Sequence, residues 1–271
     1  MHKFFLSIIK GVLVFGLFFS LGCVTRGELK TISESDGQHL LDVLESHKPT
    51  QAQFVGQVKV SGAALGVFPV NVQSDVVIQI PNKVHWAVRS FFGQPTHILV
   101  VDDEHGSWLD MISEPVPVLY TGNSNDFLQT IFGLQSLELK DFIWLWWGHL
   151  PDYQWDIKEV LYNVKRRIHV IFMQNEKGQD WQITLDEKHR LHQVKVSWGE
   201  QLLWTLDYKT YRTEDKVAYP TKLIWQIAKE GQGPISFSLE EGSIAEPLIA
   251  QEAFSPPEIP GMEIRPWIQG F

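Results

Sequence analysis

Three features of this 271-residue chain have side chains that could do chemistry: one cysteine, two charged clusters and a few histidines. Cys23 is the only cysteine, so neither an intramolecular disulfide nor a dithiol site can form. Asp102-Asp103-Glu104-His105 brings carboxylates and an imidazole together, the residue types of a metal site or a carboxylate pair. Its place between two apolar runs predicts a solvated hairpin turn instead. Asp186-Glu187-Lys188-His189-Arg190 has the same reading. His169 and His192 stand singly, without metal-ligand spacing. The chain has no Gly-rich phosphate loop, nucleophile elbow or zinc motif. The expectation is a binding protein with no metal and no cofactor, not an enzyme.

Cys23 takes its meaning from what precedes it. His2, Lys3 and Lys10 form a basic lead, Gly11 to Leu21 is almost wholly apolar, and Gly22 is small. This pattern reads as a secretory signal peptide over 1–22. A spanning helix needs about 20 apolar residues, more than this run supplies. Ser20-Leu21-Gly22-Cys23 also resembles the lipobox of bacterial lipoproteins, with Ser20 where an aliphatic residue is usual. The resemblance implies that Cys23 is acylated (palmitate or a similar chain) and becomes the mature N-terminus. A diacylglycerol there would hold the chain stably to a membrane. Val24 stands where an Asp commonly retains such proteins at the inner membrane. The expected location is the outer membrane, facing the periplasm.

The formal net charge of −9 argues against nucleic acid and against broad adhesion to an acidic membrane surface. The eleven tryptophans are assigned mostly to a core.

These residues must be positioned by strands. Val70, Val72, Val76, Ile78 and Ile80 alternate with Asn71, Gln73, Asp75 and Gln79, a strand with one apolar and one wet face. Trp181, Ile183 and Leu185 alternate with Gln182, Thr184 and Asp186, and Leu202, Trp204, Leu206 and Tyr208 with Thr205, Asp207 and Lys209. Roughly eleven strands at hairpin spacing predict a mainly β antiparallel meander, a barrel or a strongly curved sheet. Two apolar patches at helical spacing, Asp126 to Phe132 and Lys140 to Trp147, fall between the two runs of strands. Before the strands, 23–50 reads as a polar tether with one short helix near Ser35 to Ser46. The body occupies 51–244. A Pro-rich segment, 245–271, reads as an irregular tail.

Several segments resemble the lipoprotein-localisation family of the carrier LolA and the receptor LolB. Pro81-Asn82-Lys83-Val84-His85-Trp86 resembles the Pro-Asn-x-x-x-Trp that opens a central strand in the carriers. Ile98-Leu99-Val100-Val101-Asp102, a turn and Trp108 follow as in that family. Leu139 to Pro151 resembles the receptor's Leu- and Trp-rich segment ending in Gly-Leu-Pro. Tyr219-Pro220-Thr221-Lys222-Leu223 resembles its late Pro-x-x-(Leu/Ile) strand. Ile80 replaces the lid-latching Arg of the carriers, and a carrier would lack Cys23, so the receptor side is favoured.

The resemblance implies a half-open antiparallel β-barrel with a short helical lid, a LolA/LolB-like fold that binds acyl chains. The implied cavity and lid residues are Trp86, Val88, Phe127, Leu128, Ile131, Phe132, Trp144, Trp147, Trp181, Trp204 and Trp225. The same residues would also serve to plug the barrel as core. The receptor's protruding loop with an apolar tip corresponds to Phe92, beside Phe91, in Ser90-Phe91-Phe92-Gly93. Alternation on a strand would send the two rings in opposite directions. The other reading is a loop that folds back over both.

The leading function is then an anchored monomer that receives lipoproteins from a periplasmic carrier and inserts them into the outer membrane. Its partners would be lipoprotein acyl chains or other lipid, the carrier, and the membrane. The competing reading is a lipid-sensing or regulatory envelope lipoprotein on the same scaffold. An enzyme with a site assembled across the fold is the third, because a fold does not fix a function.

Overall fold

The computed structural model describes residues 29–49, 52–62, 71–127, 137–214, 217–228, 233–244 and 251–267. Strand β1 (Leu29–Thr31) and helix α1 (Glu34–Ser46) come first. Six strands follow: β2 (Gln53–Gly62), β3 (Asn71–Gln79), β4 (Lys83–Arg89), β5 (Pro95–Asp102), β6 (His105–Asp110) and β7 (Val118–Asn123). Helix α2 (Leu139–Trp146) separates them from the second run: β8 (Trp155–Asn163), β9 (Ile168–Asn175), β10 (Asp180–Leu185), β11 (Leu191–Trp198), β12 (Gln201–Glu214), β13 (Val217–Ile227) and β14 (Ile235–Ile244). A 3-10 turn at Gln251–Phe254 and strand β15 (Glu263–Pro266) end the described chain.

All these strands form one sheet in the order β1-β8-β9-β10-β11-β12-β13-β14-β2-β3-β4-β5-β6-β7-β15. Each run is a meander of hairpins. The two are joined where β14 pairs antiparallel with β2, Phe237 opposite Val60 and Ile244 opposite Phe54. β1 and β15 are the edges, so the curled sheet is a half-open barrel and not a closed one. The mainly β, half-open architecture agrees with the sequence reading, but the sheet has four more strands than the eleven expected. The additions are β1, β7, β8 and β15.

The alternating residues point as the pattern requires. Val76, Ile78, Val84, Trp86, Val88, Leu99, Val101 and Trp108 join the main core inside the curl. Ala87, Ile98, Val100, Leu109 and Leu119 face the other side, where Phe254 covers them. The tail is therefore not irregular. Its Ala253 carbonyl accepts a 2.8 Å hydrogen bond from His85 Nδ1. β15 then runs parallel to β7, Glu263 opposite Val118 and Arg265 opposite Tyr120. Trp267 packs 4.4 Å from Phe127, ring centroid to centroid.

The stretch expected to be a tether is also part of the fold from Leu29 onward. β1 pairs with β8, Leu29 opposite Asn163. Ser33 caps α1 by accepting from the Asp36 N–H at 3.1 Å, and Glu34 and Asp36 lie in the first turn, where acidic groups suit the helix dipole. Gly37, Leu40, Leu41 and Leu44 form the buried stripe of α1. Gly37 is required for the approach: a Cβ there would stand 2.5 Å from Val160 Cγ2 on β8.

Candidate functional site: an aromatic barrel interior and an exposed aromatic tip

The interior is built from indoles on β10, β12 and β13. Trp181 of β10, Trp204 of β12 and Trp225 of β13 follow one another, with centroids 5.4 Å and 5.2 Å apart. Phe142 of α2 stacks on Trp225 at 5.6 Å. Trp146 of α2 stands edge-on to Trp86 of β4 at 5.5 Å and to Phe237 of β14 at 5.3 Å. Offset and edge-to-face rings of this kind contribute about 0.5–1.5 kcal/mol per pair beyond their burial.

Helix α2 is the piece that fills the curl. Leu139, Phe142, Ile143, Trp144, Leu145 and Trp146 are all buried, as is Trp147 after it. It starts where the Glu138 N–H donates to Asp141 at 3.2 Å and stops at Gly148, whose φ of 79° suits a residue without a Cβ. The helix is tied to its surroundings by side chains and is not paired with a strand. Tyr208 Oη donates to the Leu145 carbonyl at 2.9 Å. The Lys177 ammonium on the β9–β10 turn meets the Glu138 carboxylate at 2.5 Å. Tyr153 Oη donates to buried Asp141. Burial pushes the Asp141 carboxyl above the usual carboxylate range, against the Tyr153 hydrogen bond and the nearby Lys177. Burial likewise lowers the His149 imidazole to about 4, helped by the positive charge of Lys48.

Between α2 and strands β2, β13 and β14 lies a narrow cleft lined by Phe54, Trp146, Trp147, Tyr219, Pro220, Thr221, Leu223, Phe237 and Leu239. It holds about 10 Å³, near the lower limit for one water. The interior is thus packed, and an acyl chain would enter only if α2 or its aromatic side chains moved. The indole N–H groups of Trp147, Trp181 and Trp225 are buried without an acceptor among the described residues.

Eight of the residues expected to line the cavity are described, and all eight are buried in the main core: Trp86, Val88, Phe127, Trp144, Trp147, Trp181, Trp204 and Trp225. Leu128, Ile131 and Phe132 lie outside the described residues, as does Cys23. Phe142 and Trp146 belong to the apolar helical patch read from the sequence but were not among the cavity residues, and neither were Phe54, Tyr219 and Phe237, which lie on strands.

Phe91 and Phe92 are 98 % and 87 % exposed, so neither the alternate-direction reading nor the folded-back loop describes them. They sit at the tip of the β4–β5 hairpin. The Ser90 N–H donates to the Gln94 carbonyl at 2.8 Å and the Gly93 N–H to the Ser90 carbonyl at 2.9 Å. Gly93 takes φ 80°. The two residues lie in the turn and not on a strand, and both rings project, 5.6 Å apart.

The polar candidates remain dispersed. Asp103 and Glu104 form the exposed β5–β6 turn. Asp186 accepts from the Arg190 guanidinium at 2.6 Å and from the Lys188 and Arg190 N–H groups, which together hold its carboxyl below the usual range despite partial burial. His169 lies 5.7 Å from His189, ring to ring, and His192 is exposed. Among the described residues no group of His, Cys, Asp and Glu is arranged to hold a metal, and no helix is long and apolar enough to cross a membrane.

No family model matches the chain, and no curated protein matches it in sequence. Solved structures do. A LolA superfamily protein from Nitrosomonas europaea aligns over 81 % of this chain and 97 % of its own, at 11 % identity and a TM-score of 0.51. A domain described as an outer membrane lipoprotein-sorting protein, from Vibrio parahaemolyticus, aligns over 82 % of this chain and 97 % of its own, at 9 % identity and a TM-score of 0.48. The first likeness is one of fold alone: this chain shares its architecture with that LolA superfamily protein.

Proposed function

We propose that this protein is a lipid-anchored envelope lipoprotein that takes acyl chains into its barrel and passes lipoproteins to the outer membrane. The observation that carries the reading is the aromatic interior of a half-open sheet. Its filler, α2, is a separate helix packed among the side chains of the wall, and not a strand of it. Each CH₂ moved out of water contributes about 0.8 kcal/mol, so a lipid-modified cargo needs such a shelter in an aqueous compartment. The buried indole N–H groups would meet the carbonyls of ester- or amide-linked acyl chains. The projecting Phe91-Phe92 tip is the contact through which cargo is exchanged. No chemistry on a substrate is involved, and no metal or cofactor. The partners are a periplasmic lipoprotein carrier and the membrane.

The test is whether the mature chain, made soluble by Cys23→Ser, co-purifies with lipid and competes for a fluorescent acyl probe. Mass spectrometry of the extracted lipid gives its class. A lipid-free protein that also ignores the probe would end this reading. The narrowness of the cleft favours a second one, a lipid-sensing or regulatory lipoprotein that opens only to a particular signal. Depletion separates the two: loss of a receptor strands many lipoproteins, and loss of a sensor alters one response.

A further inference from the structure

The inner wall of the barrel carries one polar row. Side chains on a strand face inward at every second position. The pairing sets Val58 on β2, Ser74 on β3, Val88 on β4, His97 on β5, Asp110 on β6 and Val118 on β7 side by side. All six are buried. The row lies one inward position beyond Trp86, toward the β4–β5 tip, and Trp86 is the wall residue against which Trp146 of α2 stands. On the other side of the row the inward positions Val76, Ile78, Trp86, Leu99, Val101 and Trp108 belong to the apolar core. Ser74, His97 and Asp110 therefore interrupt a wall that is otherwise apolar.

The hydrogen bonds around the row fix which atoms can still act. The Thr96 hydroxyl donates to the Val88 carbonyl at 3.2 Å, so its oxygen accepts from His97 Nδ1, 3.1 Å away. That places the ring proton on Nδ1 and leaves a lone pair on Nε2. Burial lowers the His97 pKa, against the pull of Asp110, so the ring is neutral at neutral pH. Burial pushes the Asp110 carboxyl up, but hydrogen bonds from the Ser113 side chain and from the Ile112 and Ser113 N–H groups hold it below the usual range, as a carboxylate. Its Oδ1 lies 3.7 Å from His97 Nε2, too far for a hydrogen bond. Two acceptors thus face each other, and no donor of the described residues stands between them. On the other side of Val88, the buried Ser74 hydroxyl has no partner among the described residues either. Such atoms burden a fold unless something else meets them.

We propose that this row is the subsite for the polar head of an acyl-chain ligand, whose hydroxyl or amide N–H donates between His97 Nε2 and Asp110. The inference rests on the reading of the barrel as a carrier of acyl chains and deepens it. The indole N–H groups of Trp147, Trp181 and Trp225 can only donate, which suits carbonyls. The His97–Asp110 pair can only accept, which requires a donor. A ligand that satisfies both carries a carbonyl and a hydrogen-bond donor near its chains, as hydroxy esters and N-acyl groups do. Val88, in the middle of the row, is two residues from Ser90, so the head lies near the base of the exposed Phe91-Phe92 tip.

Three compounds with one chain test the subsite: oleyl alcohol, oleamide and methyl oleate. Each displaces a fluorescent acyl probe from the mature Cys23→Ser chain. The alcohol or the amide, which donate, should bind about tenfold or more tightly than the ester, which cannot. The stronger of the two tells a hydroxyl head from an amide one. His97→Phe keeps a ring against Trp108 and removes Nε2. Asp110→Asn keeps an oxygen for the Ile112 and Ser113 N–H groups and sets its own amide donor opposite Nε2. Both variants should melt as the parent does, bind the ester as it does, and lose the preference. Equal binding of the three compounds by the parent, or a preference kept by either folded variant, would overturn the subsite. The ester still binds in that case, so acyl carriage stands. A parent that binds none of the three ends both readings.

Discussion

Trp146 on helix α2 stands edge-on to Trp86 on strand β4, 5.5 Å between centroids, and so closes the barrel against its own wall. The helix packs into the curl through this ring and its neighbour Phe142, and Trp146 also lines the narrow cleft.

Replacing that ring separates plug from plain core. Trp146→Ala should destabilise the fold by about 3–5 kcal/mol, the usual cost of removing a buried aromatic. It should also widen the cleft beside Trp147 and Phe237, so an acyl probe binds more tightly than to the parent. A thermal melt and a probe titration decide. Probe affinity that falls together with the melt would make Trp146 an ordinary core residue.

The exposed tip predicts a different pattern. Phe91 and Phe92 both lie outside the core, so Phe91→Glu and Phe92→Glu should each shift stability by no more than about 0.5 kcal/mol. Both should keep probe affinity and lose delivery of cargo to liposomes, by about one to two orders of magnitude if one ring is buried in the contact. Well-folded variants that deliver normally would remove the tip from the exchange.

His149 predicts a pH dependence. Its folded pKa of about 4 lies below the ordinary 6.5, so the unfolded chain takes up a proton that the folded one refuses. Stability is therefore full above about pH 6.5 and falls as the pH drops toward 4, by as much as about 3 kcal/mol. Asp141 acts in the opposite sense: its raised pKa means that acid favours the fold as that carboxyl is protonated. Urea melts of the parent and of His149→Phe at pH 7 and pH 5 isolate the histidine. The parent should lose more stability between them than the variant does.

The contact of α1 with β8 should tolerate no added carbon. Alanine is the better helix former by about 1 kcal/mol, but Gly37→Ala places a Cβ against Val160. Overpacking costs about 1–3 kcal/mol, so the net effect should be destabilising. Val160→Ala in the same chain should recover part of the loss, read as a melt of the double variant against each single one.

The anchor has a direct assay. Cys23→Ser should abolish incorporation of labelled fatty acid and leave a soluble or uncleaved form. Label retained by the variant would refute acylation at this residue.

Much of the barrel was legible because burial on one face writes period-two alternation into β3, β10 and β12. The strands that were missed lack that pattern for physical reasons. β7 is covered on both faces, Val118 and Tyr120 from within and Leu119 by the returning tail, so it reads as a short continuous apolar run. In β8 a bulge between Ile157 and Glu159 shifts the phase. β1 is three polar-edged residues long, and β15 is hidden in a Pro-rich segment, where its partner lies far back in sequence. At the site, the burial of the tryptophans followed from their number and spacing. Whether they line a space or fill it depends on how rings from α2 meet rings on β4, β13 and β14, which no local pattern encodes. The tip was legible as a turn with an apolar end at Phe92, but not that both rings project, because alternation applies to strands and these residues belong to a turn.

The first and last described strands, β1 and β15, occupy the two edges of the sheet, and this bears on self-association. An open sheet presents unpaired N–H and C=O groups at each edge, a template for another molecule's strand. Here one edge is only three residues long and the other is four residues ending in Pro266, which has no N–H to offer. Short edges of this kind blunt strand addition. The β7 side is protected from far off in sequence: after β14 the tail crosses the outer face of β4 and β5 at Ala253 and Phe254 before Glu263 reaches Val118. Until then β7 and the apolar outer face behind it stand bare. Loss of the tail would strip Trp267 from Phe127 and Tyr120 and leave β7 open to another molecule's strand.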